Sequence, residues 1–250
     1  MSRMHRAAAV GFARSAAAYE RGRPGYPEPA VRHVVAQLPP RAVVLDLAAG
    51  TGKLTRPLLE AGLRVIAVEP VAEMRDALPA GARAADGTAE AIPLQDGAVA
   101  AVTVGQAFHW FDGDRALPEI ARVLLREGLL ALFWNRRVDD DPVNRAIDAL
   151  VDPHRGEVPT HRGDPWRAAF ERSSLFGPFE ERTFDNPQEL DADGLEARVG
   201  SISFIASLEP AERARVLEQA RAIAGAGTVT VSYRTEVLVC RRTTRPASTG

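Results

Sequence analysis

Cysteine is nearly absent from this chain. Cys240 is the only one among 250 residues, which excludes an internal disulfide and argues against any thiolate-rich metal centre. The expected compartment is therefore a reducing one, the cytoplasm. Long apolar runs are also missing: none approaches the roughly 20 residues that span a bilayer, and the N-terminus carries no signal-peptide core. The stretch before Glu20 holds arginine and alanine without an acid, as some transit peptides do, but it reads better as an N-terminal helix of the mature protein. Lysine is reduced to Lys53, so positive charge is nearly all arginine, a bias that carries no functional weight. An excess of either charge sign is lacking as well. With 31 basic and 33 acidic residues the formal net charge is −2, so nothing electrostatic calls for nucleic acid or an anionic membrane as a partner.

The composition that is present is that of a soluble globular protein, with 46% hydrophobic and 26% charged residues. At this length the chain holds one large domain or a core with an appended lobe. From residue 42 onward, strand and helix patterns alternate as a parallel sheet with crossover helices requires. Strands are predicted over 42–47, 64–68, 82–86, 98–104 and 128–135, and helices over 53–61, 71–78 and 113–125. On the last of these, Leu117, Ile120, Val123 and Leu124 fall at helical spacing, so one face packs on the sheet. Beyond residue 136 the alternation breaks down. Helices are expected over 142–151, 164–173, 189–198 and 209–224, with strands over 178–184 and 228–241. The β-branched last strand suits an antiparallel closing position.

Residues 43–55, Val-Val-Leu-Asp-Leu-Ala-Ala-Gly-Thr-Gly-Lys-Leu-Thr, place an apolar strand, a glycine turn and a helix start in succession. Gly50 and Gly52 carry no Cβ and tolerate positive φ, so backbone N–H groups can approach a ligand at a helix start. The spacing discriminates among nucleotide ligands. A Walker-type phosphate loop needs glycine where Leu47 stands and Ser or Thr where Leu54 stands. A dinucleotide fingerprint needs a third glycine where Thr55 stands.

What remains resembles motif I of the class I S-adenosylmethionine-dependent methyltransferases, carried by Asp46 and Ala49 to Gly52. Glu69, at the end of the next strand, stands where this family has the carboxylate that accepts the ribose hydroxyls. Further segments resemble the same family. These are Phe12, Ala16, Tyr19 and Arg23-Pro24-Gly25-Tyr26-Pro27, the leader whose helix covers the cofactor; Gly87 to Glu90 with Ile92 to Leu94, the loop that brackets adenine; Gln106 to Asp112, the loop after strand four; and Glu119, Arg122, Val123 and Leu124 in the helix behind it. Leu129 to Asn135 is similar to strand five of the subgroup containing trans-aconitate methyltransferases. Thr88 stands where many relatives have an aspartate, and Arg126-Glu127-Gly128-Leu129 replaces an Arg-Pro-Gly-Gly turn.

The resemblance implies a Rossmann-like α/β fold, with a seven-stranded, mostly parallel sheet, an antiparallel last strand, helices on both faces and a helical lid. The implied division is 1–40 for cofactor-covering helices, 41–136 for the core, 137–226 for a substrate-selecting lid that includes strand six, and 227–250 for the last strand and tail. It also implies S-adenosyl-L-methionine as cofactor, a small-molecule methyl acceptor and no metal. The cofactor-binding positions are then Asp46, Ala48, Ala49, Gly50, Thr51, Gly52, Glu69, Pro70, Met74, Thr88, Ala89, Glu90, Gln106 and Ala107, with Tyr19 and Arg23 closing over the methionine end. His109 is the candidate catalytic base, a neutral imidazole able to take a proton from the acceptor; the alternative is a wall position among Phe108, Trp110 and Phe111. His154 and His161 beside arginines have no metal-ligand spacing. Two other functions stay open: a non-catalytic S-adenosylmethionine-binding protein, and an NAD-dependent oxidoreductase.

Overall fold

The computed structural model describes residues 22–155 and 165–243. Contacts divide the chain into two compact units. Among the described residues the larger comprises 26–134, 165–184 and 235–243 and is built on a seven-stranded sheet. In chain order its elements are α1 (Glu28–Val35), β1 (Val43–Leu47), α2 (Thr55–Glu60), β2 (Arg64–Val68), α3 (Ala72–Arg75), β3 (Arg83–Ala85), β4 (Val99–Gly105), α4 (Gly113–Val123), β5 (Leu124–Arg137), α6 (Arg167–Arg172), β6 (Glu180–Asp185) and β9 (Tyr233–Arg241), while α5 (Pro142–Val151) belongs to the smaller unit. The strand order is β3-β2-β1-β4-β5-β9-β6. Strands β3, β2, β1, β4 and β5 pair in parallel, and β9 is the antiparallel strand.

Alternation along the strands divides the core between two faces, as the two-residue period requires. Leu45, Leu47, Val102, Val104, Leu130 and Leu132 face one way and pack with Leu117 and Ile120 of α4. Val44, Val65, Ala101, Leu129, Ala131 and Phe133 face the other and pack with Ala30, Val31 and Val34 of α1 and Leu58 of α2. Burial on both faces explains why residues 129–134 of β5 read as an uninterrupted apolar run. Cys240 lies buried in the first of these layers, and burial pushes its thiol up to about 12.

Among the described residues the smaller unit comprises 22–25, 135–155 and 185–234. It contains α5 (Pro142–Val151), β7 (Gln188–Leu190), α7 (Ala192–Gly200), α8 (Ser203–Ala206), α9 (Pro210–Ala224) and β8 (Val229–Val231). Its own core joins Ile147, Leu195, Val199, Ile205, Val216 and Val231.

Four local expectations need correction. Residues 189 and 190, read as a helix start, belong to β7, which pairs antiparallel with β8. The helix begins after Asp191, whose carboxylate caps it by accepting the Gly194 N–H at 2.8 Å. The long strand over 228–241 is broken at Ser232, whose hydroxyl donates to Asp141 Oδ2 at 2.6 Å while its carbonyl accepts from Val138 N and Asn144 Nδ2. That side-chain and backbone capture takes Ser232 out of the ladder. Helix α4 stops at Val123, and Leu124 already pairs with Val99 in β5. The helix read over 71–78 is a single turn, 72–75.

Candidate functional site

Because β3, β2, β1 and β4 run in parallel, the loops that follow them emerge at one edge of the sheet. The glycine turn after β1 holds three left-handed residues: Ala48 (φ 56°), Gly50 (φ 58°) and Gly52 (φ 88°). Ala48 has a Cβ in this region, at a cost of about 1–2 kcal/mol. Hydrogen bonds hold the turn: Ala49 N–H donates to Val68 O at 3.1 Å and Gly52 N–H to Ala49 O at 2.9 Å. The two glycines have different reasons. A Cβ on Gly52 would sit 2.6 Å from Pro79 Cδ, whereas one on Gly50 would meet nothing within 4 Å among the described residues. Gly52 is a packing requirement, and Gly50 leaves open space above the turn. Thr51 between them is buried.

Two buried carboxylates support this turn. Asp46, 1% exposed, accepts from Thr55 Oγ1 at 2.6 Å and from Thr103 Oγ1 at 3.3 Å. Burial pushes its carboxyl up to about 7, against the pull of the two hydroxyls, with a further push from the Glu69 charge. Glu69, 5% exposed, spans from the end of β2 to the turn: Oε2 accepts the Gly50 N–H at 2.9 Å and Oε1 the Val71 N–H at 3.0 Å. Burial raises its pKa, while those two amides and Arg75 act in the opposite sense. Arg75 donates to the Glu69 carbonyl at 2.6 Å and reaches Asp86 at 3.4 Å, so the ends of β2 and β3 are tied together. Pro70 lies between Glu69 and the Val71 amide.

The loop after β3 is clamped from behind by helix α4. Arg122 holds Glu119 in a bidentate pair at 2.7 and 2.8 Å and also donates to the carbonyls of Ile92 (2.9 Å) and Leu94 (2.7 Å). Glu119 Oε2 accepts the Ile92 N–H at 2.9 Å. Thr88 and Ala91 close the loop's tip as a small bridge. Glu90 accepts the Asp112 N–H at 3.0 Å, so the loops after β3 and β4 are directly joined. Ala89 and Met74 are both buried, Ala89 within the core layer of α4.

At the end of β4, Gln106 adopts φ 57° and its N–H donates to Phe133 O at 2.9 Å. Ala107 then leads into a 3₁₀ turn, Phe108–Trp110. His109 is half-buried, with ring centroids 4.5 Å from Trp110 and 5.5 Å from Trp134. Phe108, Phe111, Trp166, Phe170 and Phe179 continue this aromatic wall. Tyr26 lies across Gly105, its hydroxyl 2.4 Å from where a Cβ would be, and meets Phe133 edge-on at 5.4 Å. Glycine at 105 is what lets the tyrosine reach the strand end.

Other expected positions lie in the smaller unit or outside the described residues. Arg23 donates through Nε to Ser201 Oγ and through Nη2 to Ser201 O, each at 3.1 Å. Pro24 and Gly25 offer their carbonyls to Asn135 Nδ2, and Gly25 also to Asn186 Nδ2. His154 pairs with Glu212 at 3.0 Å. Tyr19 and His161 fall outside the described residues. Sequence reasoning overlooked Thr55, Thr103 and the clamp of the loop by Arg122. For Thr55 a signal existed: a hydroxyl nine residues after a strand acid, at a helix start, where a dinucleotide turn would carry glycine.

Residues 45–132 match the model of a methyltransferase domain. Over 245 residues the chain is 38% identical to an uncharacterized methyltransferase of Mycobacterium tuberculosis, covering 94% of this chain and 96% of that protein. It is 32% identical over 211 residues to an uncharacterized methyltransferase-like protein of Schizosaccharomyces pombe, covering 82% of each. Among solved structures, a candidate type II methyltransferase from Anaeromyxobacter dehalogenans superposes with a TM-score of 0.68 at 22% identity, over 90% of this chain and 99% of that one, a likeness of fold. With its strand order, its glycine turn and near-full-length relatives at this identity, the chain belongs to the class I S-adenosylmethionine-dependent methyltransferases.

Proposed function

We propose that this protein moves the methyl group of S-adenosyl-L-methionine to an oxygen, nitrogen or carbon nucleophile of a small molecule by in-line displacement, releasing S-adenosyl-L-homocysteine. The observation that carries the reading is the Glu69 carboxylate, bonded to the Gly50 N–H at the edge of the open space above the turn. Each carboxylate oxygen retains a further lone pair after accepting its amide. Glu69 can therefore hold the turn and accept ribose hydroxyls together. Asp46 acts from beneath, fixing Thr55 at the start of α2. The loop 87–94, held by Arg122, bounds the adenine side, with Thr88 and the preceding Asp86 as polar groups there. What the bound donor supplies is an already activated methyl group. The protein's own work is alignment and exclusion of water. His109 takes the acceptor's proton in this reading, at the strand edge beside Trp134. The similarity of Leu129 to Asn135 to the trans-aconitate subgroup supports a small acceptor.

Two measurements test this. Titration calorimetry should detect S-adenosylhomocysteine and not NAD; the reverse would move the chain to nicotinamide chemistry. Labelled S-adenosylmethionine incubated with a small-metabolite extract should then transfer label. Binding without any transfer would favour a carrier or regulator.

A further inference from the structure

Three hydrogen-bonding contacts meet beneath the glycine turn. Thr55 Oγ1 lies 2.6 Å from Asp46 Oδ2, and Thr103 Oγ1 lies 3.3 Å from Asp46 Oδ1 and 3.3 Å from Leu45 O. All four residues belong to the larger unit, and none is more than 1% exposed. Each hydroxyl carries one hydrogen, so an ionised Asp46 leaves two hydrogens for three contacts. A proton on Asp46 Oδ1 completes the set: the carboxyl donates to Thr103 Oγ1, Thr103 donates to Leu45 O and Thr55 donates to Oδ2. Strand register puts Thr103 directly across from Asp46.

The surroundings favour the same proton. Asp46 shares its sheet face with Val44, the face that α1 and α2 cover. Glu28 and Arg32 on α1 and Arg56 and Glu60 on α2 are exposed, Lys53 is half-buried in the turn, and His33 packs against Phe184. Strand β4 brings no ionisable side chain, and Arg64 begins β2 at the end away from Glu69. Burial favours the neutral carboxyl, and the charge that bears on it, that of Glu69, acts the same way.

We propose that Asp46 holds a proton shared with Thr103, and that the pair distinguishes the methyl donor from its spent product by charge. The second part rests on the methyltransferase reading. S-adenosylmethionine carries one positive charge more than S-adenosylhomocysteine, on the sulfonium. A cation bound at the turn opposes Glu69 and favours the ionised form of Asp46. The Asp46 O–H bond then breaks, the electron pair stays on the carboxylate, the proton passes to solvent, and Thr103 turns its hydroxyl to Oδ1. Loss of the cation on methyl transfer removes this pull, so raising the pH favours the donor over the product. Thr103 is a positioning residue in this scheme, acting through Asp46.

The test uses the full-length protein with Asp46→Asn, which mimics the protonated form, and Thr103→Val. Carbon-13 resonances of labelled aspartate read the first part without ligand. In native protein one carboxyl should titrate near 7, well above the exposed aspartates. It should be missing from Asp46→Asn and titrate higher in Thr103→Val, because a hydroxyl favours the anion over the neutral acid. If Asp46 titrates with the exposed aspartates, there is no shared proton and the proposal is overturned. Calorimetry in two buffers of different protonation heat reads the second part. At about pH 6, native protein should release up to about one proton more than Asp46→Asn on binding S-adenosylmethionine, and about none more on binding S-adenosylhomocysteine; the subtraction removes the ligands' own titrations. Between about pH 6 and 8 the donor-to-product affinity ratio, relative to that of Asp46→Asn, should rise about tenfold. Equal proton release in native protein and Asp46→Asn would make Asp46 a structural acid and overturn the charge discrimination. Should Asp46→Asn not fold, Thr103→Val takes its place: its proton release should persist to higher pH than in native protein, and an unchanged profile overturns the proposal. If neither ligand binds native protein, the methyltransferase reading falls and the charge discrimination with it, while the carbon-13 titration still decides the shared proton.

Discussion

Glu69 joins two segments through one side chain, accepting the amides of Gly50 and Val71 from within a buried position. A hydrogen bond to a charged group is worth about 1.5–3 kcal/mol. Glu69→Gln should therefore weaken S-adenosylhomocysteine binding about 10- to 100-fold while the chain still folds, as calorimetry and circular dichroism would read. Unchanged affinity would remove Glu69 from the ribose site. Asp46 makes a pH prediction. Its folded pKa of about 7 lies above the unfolded value of 3.8, so the folded state binds the extra proton between these values. Stability from this group is full below about pH 4 and declines as pH rises toward 7; the raised pKa of Glu69 acts with the same sign. Scanning calorimetry of ligand-free protein should show a smaller decline across this window in Asp46→Asn than in the native chain. For His109, alanine should lower turnover by about 10²–10⁴-fold if it takes the proton, with cofactor affinity little changed. The opposite pattern would make it a wall residue between Trp110 and Trp134.

Among the elements, α4 has the clearest secondary duty. Its Glu119–Arg122 pair, with Glu119 held below the usual carboxylate range by Arg122, takes up the Ile92 amide and the carbonyls of Ile92 and Leu94. Arg122→Ala should leave those carbonyls without their donor and speed amide exchange at Ile92. Exchange as slow as in native protein would show that the loop holds itself. Elements were legible in the sequence where periodicity was strong. Strand β2 and helix α5 fall on the predicted residues, 64–68 and 142–151. They were illegible where a distant partner decided the backbone: Ser232 breaks a β-branched run because Asp141, 91 residues away, captures its hydroxyl. Gln188 to Leu190 become a strand because Val229 to Val231 are there to pair with them.

Among the described residues three hydrophobic clusters share no residue, one on each face of the sheet and one in the smaller unit. Phe133→Ala and Leu195→Ala should each cost about 2–5 kcal/mol. Combined, they should add to within about 0.5 kcal/mol, as measured by urea unfolding. A large departure from the sum would mean that the two cores respond as one.

The sequence by itself determined the parallel sheet and the glycine turn after its first strand. Both rest on local rules: burial on two faces makes apolar runs, a left-handed turn takes glycine, and the spacing from Gly50 to Glu69 is one crossover unit. Only the tertiary structure decided what lies under and around that turn. Thr103 reaches Asp46 from 57 residues away, Arg122 reaches Leu94 from 28, and Tyr233 meets Arg198 from 35. Burial converts these into chemistry: it raises the carboxyl of Asp46 and leaves Nη1 of Arg198 without a hydrogen-bond partner. Such charge states depend on surrounding atoms brought together by folding, so no reading of neighbours along the chain could supply them.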